Sequence, residues 1–392
     1  MARSDGSNRL ALPEPPDNGY VPYEDCLLWQ LSDFYFQQRG LQTWRFSECP
    51  FVLTSNQHYA WQVAWVLHAA WQDLPAQSLN VLETGAGHGV FSYYFLQALQ
   101  TICEMSGCQH AQKLTYWVSD YSPRYLQEIS CNPLLQAPLS SGRLRLGQLN
   151  VLQPNRFQSL NGEQINLATL GLDAILCNYV LDALPLAVYR LKQGQPIQKK
   201  WVQTQILSPG ETRRLPHLFQ IADTLLVSAY HDCDLDEIES EWLRTCFVQW
   251  QQVGLSGLIP VSIAGFQAVQ GLYDLLHPKG LLWLADKGFV GEPWLAQALD
   301  VWPQLYGVFS AHDVNFPLLS QFIRLQLGAA CLADPQPQRQ LKTLLVQKST
   351  ELDLPLATHY HHHFISTNRN ELHFKSQVAA CEQVLQGQGQ PL

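Results

Sequence analysis

Charge is scarce in this chain. Only 15% of its 392 residues are Asp, Glu, Lys or Arg, and the acids outnumber the bases 33 to 24, for a net charge of −9. A nucleic-acid or anionic-membrane binder needs a basic footprint, and Lys199-Lys200 with Arg213-Arg214 is too sparse to make one. No uninterrupted apolar run approaches the ~18 residues of a membrane helix. Residues 1–18 are polar and proline-rich with no apolar segment of a signal peptide, so a cytoplasmic location is expected. The ten cysteines form no CxxC pair and no repeated spacing. That pattern argues against a zinc ribbon or a disulfide framework and for reduced, buried thiols. Apolar residues, by contrast, make up 46% of the chain, including 12 Trp, 15 Tyr and 16 Phe, enough for a large core. The length suits two domains or one large α/β unit with insertions.

Along the chain, residues 1–20 read as a flexible leader. Residues 21–78 read as an N-terminal helical cap. Apolar positions Leu27, Leu28, Leu31, Phe34 and Tyr35 recur at helical spacing, and Gly40 is a stop signal. Ser55-Asn56 caps a second helix from about Gln57 to Trp71. From 79 to 375 the pattern is that of a doubly wound α/β unit of about seven strands, with strands expected at 79–83, 114–119, 143–147, 173–178 and 280–285. An insertion at about 188–262 opens with a hairpin turning at Gly194-Gln195-Pro196, continues with a polar helical stretch, and would form a substrate wall. Segments 300–330 and 355–375 would close the sheet, and 376–392 reads as a tail.

Residues Val81 to Gly89 read Val-Leu-Glu-Thr-Gly-Ala-Gly-His-Gly, and Val90-Phe91-Ser92 continues in helical register. This is a buried strand, a tight turn and a helix start. Glycines at 85, 87 and 89 let a ligand approach the backbone, and the free amides of the following helix face the same spot. The dinucleotide fingerprint needs glycine or alanine at position 90, which is Val90 here, so a nicotinamide oxidoreductase is disfavoured. The acid followed by GxGxG resembles the first motif of S-adenosylmethionine-dependent methyltransferases. Ligands in such folds bind beyond the carboxyl ends of the strands. Glu83, Asp120, Asn150, Asn178 and Asp286 all fall there. Asp120 can accept both ribose hydroxyls of an adenosyl ligand, or cap the helix after Pro123. Asn150 can read the adenine edge, and Glu83 supports the loop or faces the methionine ammonium.

The segment Cys177-Asn-Tyr-Val-Leu-Asp-Ala-Leu-Pro-Leu186 sharpens the resemblance. With the glycine loop it looks like the MidA class of methyltransferases, the mitochondrial complex I assembly-factor type. Ser119-Asp-Tyr-Ser-Pro123, Leu284-Ala-Asp-Lys-Gly288 and Ala311-His-Asp-Val-Asn-Phe316 are similar to further segments of that class, in the same order. The resemblance implies a Rossmann-like methyltransferase fold, S-adenosylmethionine as cofactor, and SN2 methyl transfer to nitrogen or oxygen of a protein or small-molecule acceptor. On it, Asn178, Tyr179 and Asp182 are the candidate catalytic residues, with Asp182 orienting or deprotonating the nucleophile and Asp286 and His312 lining the pocket. The class has Glu where this chain has Tyr179, which weakens the case for a guanidinium acceptor. Asn178-Tyr179 loosely resembles the Asn-Pro-Pro-Tyr motif of amino methyltransferases. A non-catalytic scaffold of the same fold is the alternative reading. No metal is expected: on a strand His359, His361 and His363 would share one face, a geometry a zinc site can use, but no nearby Cys or carboxylate accompanies them and the transfer needs no metal.

Overall fold

The computed structural model describes residues 19–40, 51–72, 78–206, 224–290, 301, 303–306, 309–334, 341–362 and 383–384. The expected leader through residue 18, Arg213-Arg214, residues 363–375 with His363, and most of the tail lie outside the described residues.

Seven strands make the main sheet: β1 Leu79–Thr84, β2 Leu114–Asp120, β3 Leu144–Gln148, β4 Leu172–Asn178, β5 Leu276–Phe289, β6 Ala330–Ala333 and β7 Leu341–Gln347. Their order is β6-β7-β5-β4-β1-β2-β3. Strands β1 to β5 pair in parallel, and β7 is antiparallel to both β5 and β6. Both β2 and β4 flank β1, so the strand order reverses there and a crevice opens at the carboxyl ends. Three short strands bring the sheet to ten. Arg156–Ser159 and Gln164–Asn166 extend the β3 edge, and Val314–Asn315 pairs with the end of β5. These are too short and too polar to have announced themselves by alternation.

Alternation along each strand assigns residues to two cores. Val81, Trp283 and Ala285 face one, while Leu82, Leu282 and Leu284 face the other. The first core is covered by two helices. One is α2 Gln57–Trp71, which follows α1 Leu27–Arg39 in the chain; the other is α3 Val90–Ser106. Asn56 caps α2 by accepting the Tyr59 N–H at 2.9 Å, while its amide donates to the Val52 and Leu53 carbonyls at 2.8 and 3.1 Å. α2 is thereby packed into the helical layer, between α3 and helix Leu354–Tyr360. α1 ends at Gly40, whose φ of 57 favours glycine, and the side-chain ends of Arg124 and Glu128 of α5 Pro123–Ser130 lie against it. Between α3 and β2 runs the short helix α4 His110–Lys113.

The stretch 188–262 supplies four strands of a separate five-stranded sheet: Ala187–Leu191, Gln198–Ile206, Thr224–Asp232 and Gly257–Val261, joined by Val21–Pro22. The hairpin turns through Gly194 (φ 72) with Tyr189 opposite Lys199. Residues 207–223, where the expected polar helical stretch begins, lie outside the described residues; Leu225-Leu-Val-Ser-Ala-Tyr230 then pairs with the second hairpin strand, and helix Glu241–Gln252 follows. The sheet closes with an antiparallel pair as expected, but from residues other than those read for it. The antiparallel closing pair is β6 and β7, and 354–360 is a helix with Pro355 in its first turn. His359 is therefore helical rather than on a strand, and His363 lies outside the described residues.

Candidate functional site

Beyond Thr84 the chain turns through Gly85 (φ 65), Gly87 (φ 55) and Gly89 (φ 72), all left-handed, and enters α3 at Val90. A Cβ on Gly85 would stand 2.5 Å from Val180 Cγ2, so this turn is packed against the segment leaving β4. The loop is fixed from β2: Ala86 N–H donates to the Ser119 carbonyl at 2.9 Å, and Gly87 N–H donates to Asp120 Oδ2 at 2.9 Å. Asp120 Oδ1 accepts the Ser122 N–H at 2.8 Å. Burial lifts the Asp120 carboxyl to about 6 against these two donors. His88 is buried, accepts the Val90 N–H at 3.1 Å through Nδ1, and is pulled down to about 3 by burial, so it is neutral at pH 7.

Glu83 points away from the turn. Its Oε2 accepts Ser92 Oγ of α3 at 2.5 Å and Tyr116 Oη of β2 at 2.8 Å, so it braces strand to helix beneath the loop. Burial, opposed by those two bonds, raises it to about 7. Asn150 stands after β3, accepting the Leu152 N–H at 2.9 Å. It lines an open cleft with Tyr121, Gln148, Arg156 and Gln158. Tyr121 Oη reaches Asp33 of α1 at 3.4 Å, which brings α1 over this end of the sheet.

Asn178 ends β4 and is buried. Trp283 of β5, whose indole can only donate, gives its Nε1–H to Tyr59 Oη at 2.8 Å, and Tyr59 passes its own proton to Asn178 Oδ1 at 2.7 Å. That relay orients the amide, and Nδ2 is left buried with no hydrogen-bond partner. A buried donor without a partner costs roughly 1–3 kcal/mol, which a ligand acceptor would recover. Tyr179 has φ 53, a left-handed conformation that is unusual for an aromatic residue, and its N–H is held on the Ala285 carbonyl at 2.9 Å.

Asp182 lies in the 3-10 turn Leu181–Ala183, and its ties run to β5. Asp286 Oδ2 accepts both the Leu181 and Asp182 amides at 3.0 and 3.1 Å, and Lys287 Nζ stands 3.5 Å from Asp182 Oδ2. Burial raises Asp182 to about 6 despite Lys287. Burial and the neighbouring Asp182 hold Asp286 well above the usual carboxylate range. His312 donates its N–H to the Asp182 carbonyl at 2.9 Å, and its ring nitrogens sit 3.0 and 3.2 Å from the Leu184 and Asp313 carbonyls. The glycine loop, Asp120 and the end of β4 are thus joined directly. Asp182, Asp286, Lys287 and His312 form an adjoining cluster that anchors the turn, and Asn150 stands apart at the β3 end. Tyr59 and Trp283 gave no sign in the sequence. They are 119 and 105 residues from Asn178 and read as core aromatics.

No protein-family model matches this chain, and no curated protein does. Solved structures do resemble it. Two members of one superfamily from Burkholderia thailandensis each align with a TM-score of 0.55 and 14% identity, over 86% of this chain and 90% of theirs. One is described as uncharacterized; the other, a candidate methyl transferase, is bound to S-adenosyl-homocysteine. The chain has the Rossmann-like fold of these proteins, an α/β unit built on one large central sheet.

Proposed function

We propose that the protein is an S-adenosylmethionine-dependent methyltransferase that binds its cofactor in the crevice between β1 and β4. The observation that carries the reading is the buried, partnerless Nδ2 of Asn178 at the mouth of β4, beside a three-glycine left-handed turn. When bound, the cofactor supplies a methyl group already activated by a sulfonium, so the protein's task is alignment. Gly85, Gly87 and Gly89 admit it close to the backbone. Asp120 has lone pairs left for ribose hydroxyls, Asn150 reads the adenine edge, and Glu83 stiffens the loop from below. Fold kinship with a protein bound to S-adenosyl-homocysteine supports this assignment.

Asn178, Tyr179 and Asp182 face the acceptor side. Because Tyr59 already donates to Oδ1, Asn178 offers N–H donors and favours an acceptor with a hydrogen-bond-accepting group beside the nitrogen or oxygen that is methylated. Asp182, in the turn that follows Tyr179 and is held by Asp286, orients or deprotonates the nucleophile, and the 188–262 sheet forms the wall that selects the acceptor. The finer likeness to the MidA class belongs to this proposal, with Tyr179 in place of its Glu favouring an acceptor other than arginine.

Calorimetric titration with S-adenosylhomocysteine tests the cofactor site, with NAD as control. Micromolar binding is expected, weakened tenfold or more in Asp120→Ala, since a charged hydrogen bond is worth roughly 1.5–3 kcal/mol. No heat from S-adenosylhomocysteine in the intact protein would leave the non-catalytic scaffold as the better account, and binding of NAD instead would revive the nicotinamide oxidoreductase reading.

A further inference from the structure

Far from the crevice, four metal-binding side chains converge. His68 Nδ1 of α2, Cys103 Sγ in the last turn of α3, Cys108 Sγ and His110 Nδ1 all lie within 4.8 Å of one another. Cys103 is thirteen residues past Val90, which at 1.5 Å per residue places it about 20 Å along α3 from the glycine loop. His68 Nδ1 is 3.2 Å from His110 Nδ1, and Cys108 Sγ is 3.7 and 3.5 Å from those two nitrogens. A tetrahedral ion with Zn–N of about 2.05 Å and Zn–S of about 2.3 Å has N···N edges near ~3.3 Å and N···S edges near ~3.5 Å. These three edges fit that polyhedron, and Cys103 Sγ lies within 4.8 Å of the other three ligand atoms.

We infer that these residues hold a structural zinc ion. Two thiolates and two neutral imidazoles cancel a divalent charge, which suits a site where His68 and Cys103 are buried. A nitrogen and sulfur set of this kind selects zinc over the oxygen-seeking cations, and four protein ligands leave no open position for catalysis. The surroundings are those of a ligand shell. Ala111 N–H points at Cys103 Sγ at 3.4 Å, His110 also bonds the Trp71 backbone, and Gln72 Nε2 lies 3.5 Å from His68 Nε2. Gly107 (φ 68) ends α3 and turns Cys108 and His110 back toward Cys103. Three ligands thus come from one short turn and the fourth from α2, so the ion clasps α2 to the far end of α3. The sequence reading expected no metal, because the cysteines form no CxxC pair and no repeated spacing; three of these ligands fall at 103, 108 and 110, and the fourth lies 35 residues upstream.

The test is elemental analysis of the full chain, freed of any affinity tag, followed by removal of the metal and cobalt(II) reconstitution. One zinc per chain is expected, and the cobalt form should show the thiolate charge-transfer band and the strong visible bands of a tetrahedral site. Cys108→Ser should lose both, whereas Cys131→Ser, at an exposed cysteine outside the cluster, should keep them. The intact protein should also melt lower after chelation while still binding S-adenosylhomocysteine. Protein purified with far less than one zinc per chain and lacking the cobalt spectrum would overturn the inference. So would a Cys103–Cys108 disulfide in the native protein. The cobalt spectrum of the intact chain decides the matter even if Cys108→Ser does not fold.

Discussion

At the scale of single residues, the site depends on side chains that themselves contact no ligand. Trp283, Tyr59 and Asn178 form one relay across β5, α2 and β4. Tyr59→Phe removes the proton that fixes the Asn178 amide, so its methyl-transfer rate is expected to fall about tenfold, the equivalent of one hydrogen bond. Affinity for S-adenosylhomocysteine, measured by calorimetry, should change less. Equal losses in both would place Asn178 on the cofactor rather than the acceptor. Glu83 gives a pH prediction. Burial raises its pKa from an ordinary 4.5 to about 7. The native state therefore holds a proton that the unfolded chain has released, and stability falls as pH rises from about 4.5 to 7. The shift of two and a half units corresponds to about 3 kcal/mol at most. Asp120 and Asp182, both raised to about 6, add to the same slope. Glu83→Gln should therefore make it shallower rather than abolish it, as urea unfolding between pH 4 and 8 would reveal; an unchanged slope would mean Glu83 contributes nothing to it.

At the scale of elements, the sequence was legible wherever local chemistry sufficed. The five expected strands all occur within two residues of where they were read, except that β5 is longer at both ends. Asn56 and Gly40 marked their helix boundaries because an N-cap and a left-handed stop are decided by one side chain each. Asn56→Ala removes a cap that also ties Val52 and Leu53, and is expected to cost about 2 kcal/mol, read as a lower midpoint in denaturant. What escaped were elements set by their surroundings. Strand β7 buries Lys342, Thr343 and Gln347, so no alternation shows in Leu341-Lys-Thr-Leu-Leu-Val-Gln347. The glycine loop and Asp120 could be read as site residues from their strand ends, whereas Tyr59, Lys287 and His68 owe their roles to partners distant in sequence.

At the scale of the whole molecule, the two sheets share a core. Tyr189, Leu191 and Ile259 of the smaller sheet cluster with Leu82, Ile175 and Leu282 of the larger one. Ser32 of α1 and Ser310 are joined through their hydroxyls at 3.0 Å, tying a second corner. Denaturant unfolding is accordingly expected to be one transition, with tryptophan emission and far-ultraviolet dichroism giving the same midpoint. Two separated midpoints would show the inserted sheet to be an independent unit. Among the described residues no helix is long and apolar enough to cross a membrane.

Strands β4 and β5 lie side by side, with Ile175 opposite Leu282, yet four of the five strands of the smaller sheet lie between them in the chain. Neighbours so remote in sequence make a slow-folding topology, because a long loop must close before its contacts give anything back. During synthesis the edge of β4 is completed roughly a hundred residues before its partner emerges. Until then it exposes unpaired backbone and the apolar run Ala174-Ile-Leu-Cys177, the kind of segment that chaperones shield and that aggregates when they do not.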